Sequence, residues 1–127
     1  MTIKIVVERL PTREDMDPVT LRRHPALRQL YSLYEEEGEV APKIIRENLS
    51  VEAARKVLSN RVIELLSAIK ENKGASISEL ARILRRSPSN VYRDLAELAR
   101  WRIIKLREDG RKKVPEIIAK KIEIEIL

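Results

Sequence analysis

Arg85, Arg86, Ser87, Ser89, Asn90, Tyr92 and Arg93 fall within nine positions of the chain, and Arg107, Arg111, Lys112 and Lys113 follow within a second short stretch. These are side chains that bind rather than react. Arginine and lysine neutralise phosphates, asparagine and arginine can bond the edges of bases, and serine and tyrosine hydroxyls reach phosphate oxygens. The spacing adds to the residue types. If Val91, Leu95 and Leu98 turn inward on one helix, then Ser89, Asn90, Tyr92 and Arg93 occupy the opposite face of its first two turns. Any soluble helix has a polar outer face, so the elements around these residues decide what they mean.

The stretch Ile77–Arg100 reads as two short helices with a tight turn between them. Ile77, Leu80, Ala81 and Leu84 recur at helical spacing, and Val91, Leu95 and Leu98 do so again after Arg86-Ser87-Pro88. Ser87 followed by Pro88 is a helix start: the serine oxygen accepts from the first turn, and proline at the first position loses no hydrogen bond. Ser76 and Glu79 form an S-x-x-E capping box for the first helix, with Ser78 as the alternative cap. Such a pair is helix-turn-helix geometry, in which the second helix can lie in a major groove. Upstream, Ser50 caps Val51–Leu58. Ser59 caps a helix over 60–72, where Val62, Leu65, Leu66 and Ile69 form one stripe that ends at Lys73-Gly74. Downstream, Trp101 is expected to plug the core. Ile103–Arg107 reads as a strand, Asp109-Gly110 as a tight turn, and Arg111–Val114 as the returning strand up to Pro115. Three helices followed by a basic hairpin predict a winged helix-turn-helix, with a recognition helix over 88–100 and a wing over 107–113.

Composition narrows the function. The chain has 127 residues and a net charge of +6. Residues 1–48 carry 8 basic and 9 acidic side chains, net −1, and residues 49–127 carry 18 and 11, net +7. Arg82–Lys113 alone holds 11 basic and 4 acidic groups, again +7, so the surplus coincides with the helical pair and hairpin. A polyanion is the natural partner of such a patch. The bland alternative is a heat-adapted surface rich in both charge signs. With no cysteine and a single histidine, His24, disulfides and thiolate or histidine metal centres are not expected, nor is a cofactor. The longest aliphatic runs, such as Ile5-Val6-Val7, are three residues, so no membrane span or leader is expected and a cytoplasmic location is. No phosphate loop, nucleophile elbow or metalloprotease motif occurs, so no enzymatic activity is expected. With one tryptophan, three tyrosines and no phenylalanine, single-strand binding by base stacking is disfavoured.

The first 48 residues read as an extension. Thr2–Glu8 is a strand with Ile3, Ile5 and Val7 on one face, Thr12–Pro18 a connection, and Val19–Glu37 a helix stopped by Gly38. Residues 40–48 fit either a short strand or a helical turn. At the other end, Lys121–Ile126 alternates without a fault, so Ile122, Ile124 and Ile126 match the N-terminal strand, and Lys4 can meet Glu123 or Glu125 across a ladder. The expected architecture is therefore α+β and mainly helical: an extension over 1–48 that serves as a dimerisation element, and a winged domain over 49–127 with a C-terminal strand. The terminal strands and the N-terminal helix are expected to build a homodimer interface. The alternative is a monomer in which the two strands pair within one chain.

The runs Val57–Leu66, Ser76–Arg82 and Asn90-Val91-Tyr92-Arg93-Asp94-Leu95, with the Ile122–Ile126 ending, resemble a family of small prokaryotic winged-helix predicted transcriptional regulators. These are common in archaea, sometimes labelled antitoxins, and distantly related to MarR-type repressors. The resemblance covers about residues 40–127. It implies sequence-specific binding of double-stranded DNA, with Asn90 and Arg93 at recognition-helix positions. Two departures stand out: Arg85 and Arg102 occupy positions where such families usually have glycine, and Tyr92 stands where histidine is frequent. A left-handed backbone at either arginine costs on the order of 1 kcal/mol, and the two cations would lie near the DNA side. The function expected is a DNA-binding transcriptional regulator, a repressor by preference. The rival reading is a protein-interaction module, either an antitoxin that covers a toxin or a winged-helix adaptor of the transcription machinery.

Overall fold

The computed structural model of the protein describes residues 2–16 and 44–127. The helix expected over Val19–Glu37, with His24, lies outside the described residues. The described chain is α+β: four helices, a three-stranded antiparallel sheet and a separate hairpin.

The helices α1 (Val51–Val57), α2 (Asn60–Glu71), α3 (Ile77–Leu84) and α4 (Pro88–Arg100) begin where serine permits. The hydroxyl oxygens of Ser50, Ser59, Ser76 and Ser87 accept the backbone N–H of Ala53, Val62, Glu79 and Asn90. Ser76 rather than Ser78 is the cap of α3, and its hydroxyl donates to the Glu79 carboxylate at 3.1 Å. Val62 and Leu65 of α2, Leu80 and Ala81 of α3, and Val91, Leu95 and Leu98 of α4 form one buried cluster. Each helix thus covers its neighbour's apolar stripe. Arg85, after α3, and Arg102, after α4, are left-handed, with φ of 56° and 58°. The backbone has kept the turn that glycine would make without strain.

Trp101 packs, as expected, against the core, touching both the helical cluster and the smaller one around Ile5 and Leu49. The tryptophan is only half-buried, with the Arg100 guanidinium 5.6 Å from its ring centroid. Beyond the turn, Ile103 and Ile104 enter the core as well, fully buried.

The hairpin consists of β3 (Ile104–Asp109) and β4 (Lys112–Ile117), closed by Gly110-Arg111 between the paired Asp109 and Lys112. Gly110 has φ 63° and Arg111 does not share it, as a two-residue turn with glycine in its first central position requires. The returning strand does not stop at Pro115. Counting in twos from the closing pair, Leu106↔Pro115 is a position whose N–H would point away from β3, so proline forfeits no ladder bond.

In the sheet, β1 (Ile3–Arg9) lies between β2 (Ile45–Asn48) and β5 (Ala119–Ile126), antiparallel to both. The terminal strands therefore pair within one chain, in the register Ile3↔Ile126, Ile5↔Ile124 and Val7↔Ile122. Val7 joins the helical core, whereas Ile5 packs with Leu49, Ala53 and Ala54. The expected apolar face is not buried throughout: Ile3 is half exposed, and Val6, on the other face, is buried. Lys4 stands opposite Glu125, but the ion pairs of this sheet surface join Glu123 to Lys121 at 2.7 Å and to Arg46 at 2.9 Å, and Arg46 to Glu8.

A charged cluster closes one end of the sheet. Arg9, only 1% exposed, makes two 2.8 Å bonds to buried Asp15 and one of 2.7 Å to Glu47. Glu47 also accepts from Arg102 at 3.1 Å. Arg102, expected to add a cation near the DNA side, is instead tied to β2 by this ion pair. Burial would raise the Asp15 carboxyl, but hydrogen bonds from Arg9 and Thr12 outweigh it and hold the group below its ordinary value.

Candidate nucleic-acid interface

The α4 stripe fixes the outward face. With Val91, Leu95 and Leu98 buried, Ser89, Asn90, Tyr92 and Arg93 are all exposed, as the helical period requires. Ser87 is exposed too, spent as the cap, with its hydroxyl 3.5 Å from that of Ser89. Arg85 is exposed at the left-handed corner that leads into α4. Arg86 is partly committed: it pairs with Glu64 at 2.7 Å and donates to the Arg61 carbonyl at 3.1 Å, anchoring the turn to α2.

The hairpin brings its tip to this region. The Lys113 ammonium lies 5.7 Å from the centroid of the Tyr92 ring, which is 47% exposed. Lys112 reaches Glu79 in the first turn of α3 at 3.2 Å. Hydrogen bonds from Lys112 and then Ser76 hold the Glu79 carboxyl below its usual range. Between these elements is a cleft of about 290 Å³, lined by the first turn of α3 and by Arg82, Arg111, Lys112 and Lys113. Four cations and a helix start face one carboxylate there, which favours an anion.

Arg107 does not join this group. It bonds Glu116 at 2.6 Å and lines a different groove, with Lys70, Lys73 and Gly74 at the end of α2. Among the described residues, Arg85, Arg93, Arg111 and Lys113 have no carboxylate within ion-pair distance, so their charge is free for a ligand.

Two residues not singled out from the sequence belong here. A second cleft, of about 450 Å³, is lined by Lys56, Arg61, Arg86, Asn90, Arg93 and Asp94. Arg61, in the first turn of α2, makes two bonds to buried Asp94, of 3.0 and 3.1 Å. Lys56 pairs with Glu97 at 2.5 Å, which lowers the glutamate's pKa. The sequence did carry a signal for the first of these contacts. An arginine at a helix start opposes the helix dipole, and Asp94 sits on the inward stripe between Val91 and Leu95, where a carboxylate needs a partner.

Among the described residues, no group of three or more His, Cys, Asp or Glu side chains is placed to hold a metal ion, and no helix is long and apolar enough to cross a membrane.

The fold and site together define a small α+β protein that sets several exposed cations around one helix face and one hairpin tip. Residues 57–124 match the model of the HVO_A0114 family, named after a Haloferax archaeal protein, and the chain belongs to that family. No curated protein and no solved structure matches it.

Proposed function

We propose that residues 49–127 form a winged helix-turn-helix that binds double-stranded DNA and regulates transcription, by preference as a repressor. In this reading α3 and α4 are the helical pair, α4 enters the major groove, and the β3–β4 hairpin is the wing on the adjacent backbone. Asn90 and Arg93 contact base edges. Arg85, Arg111, Lys112 and Lys113 bind phosphates, and Ser89 and Tyr92 contribute hydroxyls on the same face. Arg107, engaged by Glu116, has a supporting role in the wing.

One observation carries the reading. The hairpin tip and the exposed α4 face come together from separate parts of the chain, with the Lys113 ammonium over Tyr92 and Lys112 bonded to Glu79 at the start of α3. A surface charged only for solubility has no need to bring them together. The resemblance of Asn90–Leu95 and the flanking runs to MarR-like predicted regulators points the same way. The reading requires binding, not catalysis. Selection of bound sequences from a random duplex pool tests it: enrichment of a defined motif is expected, and a pool that stays random through the rounds would refute sequence-specific regulation.

A further inference from the structure

The outer edge of β5 is long, and isoleucine alternates with charged residues along it. Among the described residues its only strand partner is β1, and Ile124 and Ile126 are 53% and 69% exposed. The direction of its free backbone groups follows from the far end of the ladder. Thr2 and Leu127 exchange both hydrogen bonds, at 2.9 and 2.7 Å. Alternation then turns the N–H and C=O of Glu125, Glu123 and Lys121 toward β1, and those of Ile126, Ile124 and Ile122 outward. An edge with unpaired outward groups is a template for another strand.

We propose that β5 is a self-association edge: two copies of the chain pair their β5 strands antiparallel about a two-fold axis at Glu123, making one six-stranded sheet. Charge chooses both the partner and the register. In this register Lys121 faces the partner copy's Glu125, and Ile122 faces the partner copy's Ile124, each pair occurring twice. Glu125 has no cation within ion-pair distance among the described residues, and the second copy supplies one. The two Glu123 carboxylates meet at the axis, each already bonded to its own Lys121 and Arg46. Centring the axis on Ile124 instead would set Glu123 against Glu125 twice, which is destabilising. Centring it on Ile122 would run the pairing into Lys120, the extra residue where the β1 register jumps from Glu8↔Lys121 to Arg9↔Ala119. A second copy is thus the occupant that satisfies the edge, the isoleucines and Glu125 together.

The test is the mass of the full chain in solution without nucleic acid, so its outcome is independent of the DNA reading. An interface this small is weak, and sedimentation should run from about 1 to about 100 µM. The expected result is a shift from the 14.7 kDa chain mass to twice that value. Ile124→Pro removes an N–H that points outward and leaves the β1 ladder intact, so a folded monomer is expected. If that variant does not fold, Ile124→Lys reads the same edge through a charge. Lys121→Glu should weaken association about tenfold, and Lys121→Arg, which keeps the charge, should leave it unchanged. A wild-type monomer throughout, or folded Ile124 variants that remain dimeric, would overturn the proposal. Association unchanged by Lys121→Glu in a folded variant would overturn the register.

Discussion

Glu79 is the one carboxylate in the cleft between α3 and the hairpin tip, and it is bonded to a cation that the account assigns to a phosphate. Lys112 must leave it, or share it, to reach DNA. Glu79→Gln removes the negative charge while keeping the side-chain length, and glutamine is accepted at this capping position. The fold should therefore be unchanged, with a thermal transition close to that of wild type. Exposed ion pairs are weak, so duplex affinity should rise only about two- to fivefold. Because a phosphate contact carries no sequence information, the gain should be similar on a selected site and on random duplex. One additional neutralised phosphate should also steepen the log–log salt slope by about 0.9. Fluorescence anisotropy on labelled duplexes at several salt concentrations measures both quantities. An unchanged affinity and slope in a normally folded variant would mean that Lys112 and the α3 start do not meet the backbone, and the hairpin would lose its assigned role.

Other substitutions separate reading from positioning. Arg93→Ala or Asn90→Ala should reduce the preference for a selected site over random duplex by ~1–3 kcal/mol, whereas Lys112→Ala should weaken both about equally; equal effects from all three in competition binding would exclude base contacts by α4. Arg85→Gly should raise stability by about 1 kcal/mol in chemical denaturation, because glycine takes the left-handed corner without strain, while lowering duplex affinity; a destabilised variant would refute the strain. Asp15→Asn should cost ~3–5 kcal/mol by leaving buried Arg9 short of a partner, and a loss under about 1 kcal/mol would show that the cluster is not needed. Since the native Asp15 carboxyl lies below its unfolded value, its contribution is complete above about pH 4 and is lost as pH falls through the native value. Wild type should therefore lose stability on that acid limb more steeply than Asp15→Asn, as urea midpoints across pH 2–5 would show.

What could be read from the sequence was what is decided locally. Ser50, Ser59, Ser76 and Ser87 mark helix starts through bonds only three residues long, and the stripes of α2, α3 and α4 are periodic within one turn. The exposed set Ser89, Asn90, Tyr92 and Arg93 follows directly from the buried one. Contacts between distant parts of the chain were not legible. β2 has little pattern of its own and is set by pairing with β1, and Arg9 is buried only because Asp15 and Glu47 reach it. Trp101 packs on both apolar clusters as its place in the sequence suggested, whereas the full burial of Ile103 and Ile104 follows the left-handed turn at Arg102. Among the candidate site residues, Arg107 was grouped with the hairpin tip by sequence proximity, and strand geometry with Glu116 separates it. Arg61 and Lys56 were missed because helices far apart in sequence bring them to Asn90 and Arg93.

The most direct test of the DNA-binding reading is duplex affinity as a function of salt. If the hairpin and the α4 face neutralise ~4–6 phosphates per protomer, log affinity should fall against log salt with a slope of about −4 to −5. A slope near zero, or no binding to duplex at low salt, would contradict the account.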